Sequence, residues 1–192
     1  MVSESASRGG AVVTRFVIGS LIGPVAWSTT VFGHLLGPVA LLLPSLGFVL
    51  GGVVAGTALR RTIGAAIGFG VAFMIGNGAG LSLVAAEAMT GRVSSLTAYS
   101  LFYSIVFAAA GLIGLLSAGV RGRPLVIGIL GFAGGGFTTA VLVVAMLNLY
   151  PIAGSPVRVV MGFAIPMTLP WAIGAAAIAN VCDEQRNRVR FR

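Results

Sequence analysis

Long apolar runs separated by short polar turns constrain the fold of this chain more than any other feature. One run extends from Thr62 to Ala86 without a charged residue, between the pair Arg60-Arg61 and Glu87. Because an α-helix rises about 1.5 Å per residue, such a run can cross a hydrocarbon layer about 30 Å thick. The sequence therefore predicts a helical integral membrane protein.

The composition excludes a soluble domain. The chain is 57% hydrophobic and 8% charged, whereas soluble domains are about 25% charged. Its net charge of +8 comes from arginines in short turns and at the termini. They are not interleaved with aromatic residues on one face, so we predict no nucleic-acid partner. The expected partners are the lipid bilayer and either other membrane subunits or further copies of the chain.

Six apolar runs predict an all-α bundle of six transmembrane helices spanning residues 15–182. A polar N-terminal tail over residues 1–14 and a basic C-terminal tail over residues 183–192 flank this domain. The predicted spans are Phe16–Leu36, Val39–Leu59, Thr62–Ala88, Leu96–Val120, Leu125–Leu149 and Val157–Val181.

The arginines predict the topology. With the N-terminus inside, ten arginines fall on the inner side and only Arg92 and Arg158 fall outside. Cytoplasmic segments carry the excess of basic residues, so we expect both termini in the cytoplasm and a multi-pass protein of the inner (plasma) membrane. A cleaved signal peptide is an alternative interpretation of the first run, but Pro24 and Trp27 lie inside it and no clear cleavage site follows.

Glycines are spaced to allow close helix packing. Three runs begin alike, with Ile18-Gly19, Ile63-Gly64 and Ile127-Gly128 after an arginine, which suggests three tandem helical hairpins. The triplet Gly134–Gly136 suggests a kink or hinge. Gly-x-x-x-Gly pairs, which let another backbone approach, occur at Gly19/Gly23, Gly47/Gly51, Gly52/Gly56, Gly64/Gly68, Gly76/Gly80 and Gly131/Gly135.

Uncharged polar residues recur near the middle of the predicted spans. Together they could bind a neutral or weakly polar solute; alternatively, the hydroxyls bond to their own helices and Asn77 bonds to a neighbouring helix. Pro166 and Pro170 can free helix carbonyls, a device used near transporter sites. The candidate substrate-binding residues are Ser28, Thr30, Asn77, Thr138, Thr139, Thr168 and Trp171.

Two other residues are candidates for special chemistry. Glu87 is the one acidic residue within an apolar run and is either a proton or ion site or an ion pair with Arg92. His34 either meets the headgroups or supplies one axial ligand to a haem or chlorophyll-type pigment. We expect no other cofactor and no metal site.

Four aromatic residues of the fourth span, with Tyr150, predict an aromatic belt at the outer interface: Tyr99, Phe102, Tyr103 and Phe107.

The missing motifs argue against an enzyme. The chain has one His and one Cys, no inward carboxylate pair and no Walker A sequence. We expect a small transporter or membrane-embedded solute-binding subunit; the alternative is a non-catalytic structural subunit of a larger complex, with or without a pigment or haem. In length and helix number the chain resembles the membrane-embedded substrate-binding subunits of energy-coupling-factor vitamin importers, although this resemblance involves no motif and assigns no site residue.

Overall fold

A computed structural model describes residues 2–28, 39–90, 95–149 and 166–181. The described residues form helices joined by short turns, which confirms the predicted all-α membrane bundle. In chain order the helices are α1 Val2–Ser28, α2 Val39–Leu59, α3 Ile63–Thr90, α4 Leu96–Ser117, α5 Arg123–Leu149 and α6 Pro166–Val181.

Helices α1 to α5 are each long and apolar enough to cross a membrane, whereas α6 is shorter over the part described. The bounds of α2 coincide with the predicted span, and those of α3, α4 and α5 differ from it by a few residues. Helix α1 begins at Val2, before the predicted span at Phe16, so residues 2–14 of the predicted polar segment are helical. No proline precedes Pro24 in this segment, and each added residue extends an existing helix by one hydrogen bond.

Local side-chain and glycine signals set the helix ends. Thr62 Oγ1 accepts a hydrogen bond from the Ala65 amide before α3, and Ser95 Oγ accepts one from the Ala98 amide before α4, each at 3.2 Å. Helix α4 ends in a Schellman motif, in which Gly119 takes a φ of +72°. These caps keep the turns between α2, α3, α4 and α5 short.

Successive helices run in opposite directions. In α1 and α2, Gly19 lies against Gly51 and Gly23 lies against Phe48. Residue numbers rise along α1 while those of the contacting residues in α2 fall, so the two helices are antiparallel. The same pattern holds for every consecutive described pair up to α5 and α6. The start of α1 and the end of α6 therefore lie at the end of the bundle that carries the Arg60-Arg61 turn. Because α2 packs on α3 as well as on α1, the packing does not divide the chain into three separate hairpins.

The glycine contacts confirm the predicted close packing. A Cβ at Gly51 would collide with the Gly19 carbonyl of α1, and one at Gly52 would collide with the Phe69 carbonyl of α3. Both glycines of all six predicted Gly-x-x-x-Gly pairs lie against a neighbouring helix, either against its backbone or, as at Gly76 and Gly80, against large side chains. At Gly51 and Gly52 glycine is required because any side chain would separate backbones that are in direct contact.

The glycine triplet of α5 does not break the helix. Helix α5 continues from Arg123 to Leu149, and two of the three glycines are packing sites. Gly135 lies against the backbone of Pro170 in α6, and Gly136 lies against the backbone of Tyr103 in α4. Gly134 faces outward. The helix is continuous through the triplet, and the contacts with two neighbouring helices offset the low helix propensity of glycine.

Aromatic side chains fill the interior. Tyr99, Tyr103 and Phe107 repeat every four residues on one face of α4 and are fully buried, whereas Leu101 and Ile105 face outward. The predicted aromatic belt is therefore wrong for these three residues. The two tyrosine hydroxyls bond to protein groups rather than to lipid headgroups, as described below. Phe102 is half-buried, and Tyr150 lies outside the described residues.

Substituting Gly51 by Ala should destabilise the bundle, because the new methyl group meets the backbone of α1. Overpacking of this kind typically costs about 1–3 kcal/mol. Gly134→Ala is the matched control, since Gly134 is exposed and its Cβ would contact nothing within 4 Å. Thermal unfolding in detergent, followed by circular dichroism, should show a lower midpoint for Gly51→Ala only. Equal midpoints for the two variants would contradict the described α1–α2 contact.

Candidate functional site

The centre of the bundle contains a buried hydrogen bond between α3 and α6. Trp171 Nε1 donates to Asn77 Oδ1 at 2.7 Å, and both side chains have 0% exposure. Asn77 lies midway along α3, as the sequence predicted from its distance to Arg61. The alternative interpretation of Asn77, a hydrogen bond across to another helix, is thus confirmed for one of its two polar atoms.

The bond to Trp171 fixes the orientation of the Asn77 amide. An indole nitrogen can only donate, so the atom facing it must be the amide oxygen and the Asn77 Nδ2 group must point away. Nδ2 is buried and has no hydrogen-bond partner among the described residues. Leaving a buried polar group unpaired costs about 1–3 kcal/mol. The amide therefore keeps one buried donor that no described residue satisfies.

Aromatic rings hold Trp171 in place. Phe73, one turn before Asn77, stacks on the indole with ring centroids 3.9 Å apart and planes at 21°. Phe107 and Phe132 approach the indole edge-on, at 5.5 and 5.4 Å between centroids. Gly76 provides space, since its absent side chain would meet both Trp171 and Phe107. Helices α3, α4, α5 and α6 all contribute to this rigid surrounding of the Asn77 donor.

A second buried hydrogen bond joins α5 to the beginning of the described part of α6. Thr139 Oγ1 donates to the Pro166 carbonyl at 2.7 Å. That carbonyl would normally accept from the amide four residues later, but Pro170 has no amide hydrogen. The hydroxyl of Thr139 therefore replaces a missing helix bond. The sequence predicted that the proline pair frees a carbonyl, and the structure identifies the group that satisfies it.

No protein-family model, curated protein or solved structure matches this chain. What the site can do must therefore be derived from its own chemistry. Asn77, Trp171 and Thr139 do not ionise near neutral pH, so they can hold a solute by hydrogen bonding and ring contact. Among the described residues, no group of three or more His, Cys, Asp or Glu side chains is placed to hold a metal ion.

Glu87 makes a separate polar contact near the C-terminal end of α3. Its carboxylate accepts a hydrogen bond from the Tyr99 hydroxyl at 2.5 Å, and it is 7% exposed. One turn along α4, the Tyr103 hydroxyl donates to the Gly80 carbonyl at 2.9 Å. The expected partner of Glu87, Arg92, lies outside the described residues. Tyr99 is thus a contact that sequence reasoning missed, although its four-residue spacing from Tyr103 marks a common face.

The structure brings together only part of the predicted set of polar residues. Asn77 and Trp171 are bonded, and Thr139 and Thr168 are buried. Thr138 faces outward and donates to the Gly134 carbonyl of its own helix at 3.0 Å, which is the alternative that the sequence left open. Thr30, His34 and the side chain of Ser28 lie outside the described residues. Phe73 was missed, because a phenylalanine in an apolar run gives no sign of which face it occupies.

Thr139→Val should destabilise α6, because it leaves the Pro166 carbonyl buried without a donor, at a cost of about 1–3 kcal/mol. Thr138→Val is the control: the neighbouring hydroxyl is exposed and bonds within its own helix. Adding Pro170→Ala to Thr139→Val restores an amide that can donate to Pro166, so part of the loss should be recovered. Thermal unfolding midpoints of the parent, of Thr139→Val and Pro170→Ala alone, and of the double variant would measure this coupling. A cost for Thr139→Val that Pro170→Ala leaves unchanged would contradict it.

Proposed function

We propose that the protein binds a small neutral or weakly polar molecule at Asn77, as a transporter or as a membrane-embedded solute-binding subunit. The observation that carries the proposal is the oriented and unpaired Nδ2 group of Asn77 at mid-depth. A donor in hydrocarbon surroundings is best satisfied by an acceptor that carries no charge, because a charged group is costly at the bilayer centre. Solutes with a carbonyl or an unprotonated ring nitrogen have this chemistry.

The arrangement of α6 supports a transport role. Its described beginning is tied to α5 through the side chain of Thr139, where a backbone bond is missing. Side-chain bonds of this kind can be exchanged without unwinding a helix, and Trp171 lies one turn beyond Pro166 and Met167 on the same element. A movement of α6 would therefore carry Trp171 away from Asn77 and release the Asn77 amide from its fixed orientation. We propose binding and movement, without catalysis.

We also propose an orientation in the cell's inner (plasma) membrane. Arg60, Arg61, Arg121 and Arg123 lie at one end of the bundle, together with the start of α1 and the end of α6. The excess of basic residues favours the cytoplasmic side for this end. Both termini would then be cytoplasmic, and Glu87 would lie near the outer face.

A structural role in a larger membrane complex is the second candidate. It is supported by the filled interior, in which Phe16, Phe69 and Phe73 are fully buried, and by the large outward-facing side chains of α2 and α5. Such a subunit would migrate with larger partners in blue-native electrophoresis. A visible absorption band in the native sample would add a pigment or haem, for which His34 is the candidate ligand.

Trp171 can report on binding directly. The chain has two tryptophans, so Trp27→Phe leaves Trp171 as the only one. Neutral amides, lactams and nucleobases should change its emission saturably, whereas hydrocarbons of matched size should not. Asn77→Leu should weaken binding by about fivefold to tenfold, the value of one neutral hydrogen bond. Thr138→Val should leave it unchanged, because its hydroxyl faces outward.

An equal response of the Asn77→Leu and parent proteins to every solute would contradict the site. A parent protein that responds to none of the polar solutes and migrates only with larger partners would favour the structural role. These two outcomes separate the candidates without knowledge of the natural solute.

A further inference from the structure

Two turns at one end of the bundle carry exposed arginines and contain no acidic residue of their own. Arg60 and Arg61 lie between α2 and α3, and Arg121 and Arg123 lie between α4 and α5; all four are exposed. Neither turn contains an Asp or a Glu. Glu87, the one carboxylate whose side chain is described, lies near the opposite end of α3. The arginines therefore form a positive surface, here called the arginine surface.

Packing brings the two turns together. Gly64 and Gly68, in the first turns of α3, lie against Ser117 at the end of α4. The guanidinium of Arg60 then extends to the second turn: a Cβ on Gly119 would lie 3.0 Å from its Nη1 atom. Arg60 thus lies beside the turn that carries Arg121 and Arg123. The two arginine-bearing turns, distant in sequence, are adjacent in space.

The topology signal alone does not require the two arginine-bearing turns to be adjacent. Retention on the cytoplasmic side requires basic residues near the helix ends, but not their approach across two turns. Like charges that approach one another repel, unless an anion lies between them. Guanidinium groups match phosphate oxygens with paired donors, and helix ends of a membrane protein lie at the depth of the lipid phosphates. We infer that the arginine surface binds the phosphate of an anionic phospholipid headgroup.

Lipid binding can be measured on the full chain in detergent. Dioleoylphosphatidylglycerol should raise the unfolding midpoint saturably and remain attached in native mass spectrometry, whereas dioleoylphosphatidylcholine should do neither to the same extent. Arg60→Gln/Arg61→Gln should lower the affinity for phosphatidylglycerol about fivefold per arginine. Because both turns contact one headgroup in this proposal, Arg121→Gln/Arg123→Gln should weaken binding of the same lipid. Higher salt should reduce all of these effects.

Two glycines provide a matched pair that leaves every charge in place. Gly119 and Gly122 have φ values of +72° and +67°, so alanine strains both positions equally. Only Gly119→Ala also displaces the Arg60 guanidinium, since a Cβ at Gly122 would meet nothing within 4 Å. Gly119→Ala should therefore weaken phosphatidylglycerol binding relative to Gly122→Ala. Arg92→Gln/Arg158→Gln, which removes the same charge from the predicted outer loops, should not weaken it.

Three results would overturn the inference. Equal binding of phosphatidylglycerol and phosphatidylcholine would show that the headgroup charge is not recognised. An equal effect of inorganic phosphate at the same concentration would assign the surface to a soluble anion. Equal losses in Gly119→Ala and Gly122→Ala, or in the Arg92/Arg158 variant, would show that convergence of the turns plays no part.

Discussion

Direct contact between helix backbones is the interaction on which the rest of this structure depends. In lipid, burial of apolar side chains gives no advantage to helix association, so close van der Waals contact must provide it. Gly51 and Gly52 illustrate the requirement, because they touch α1 and α3 respectively from neighbouring faces of α2. With the backbones this close, the remaining interior space is narrow enough for single aromatic rings to fill. Glycine placement thus determines where Trp171 and Tyr103 can lie.

In the same apolar surroundings, every interior polar atom that lacks a hydrogen-bond partner lowers the stability of the fold. Three hydroxyls have partners on other helices, namely Tyr99 with Glu87, Tyr103 with the Gly80 carbonyl and Thr139 with the Pro166 carbonyl. Each pair links two helices and fixes the position of one along the axis of the other. The Nδ2 group of Asn77 differs from these hydroxyls because it has no hydrogen-bond partner among the described residues. The Ser100 hydroxyl is the other buried side-chain atom among the described residues without a partner, but it lacks the fixed orientation that Trp171 gives to Asn77.

The sequence was sufficient to predict the helices, their alternation and the glycine contacts, because length, charge and spacing are local properties. It also indicated Asn77, Trp171 and the proline pair. It could not distinguish Thr138 from Thr139, since adjacent residues differ by about 100° around a helix and only packing decides which one is buried. For the same reason it assigned Tyr99 and Tyr103 to the lipid interface. Their partners, Glu87 and the Gly80 carbonyl, are on another helix and leave no local signal.

The two proposed sites are physically independent. Asn77 lies sixteen residues beyond Arg61 on α3, a distance of about 24 Å along the helix. The arginines are exposed to water, and at this distance none of them can contact a solute bound at Asn77. We therefore attribute the proposed preference for a neutral solute to desolvation at mid-depth and not to attraction or repulsion by the arginine surface. A lipid held at the turns would act on the central site only by restraining the ends of α3 and α5, whose middle turns pack around Trp171.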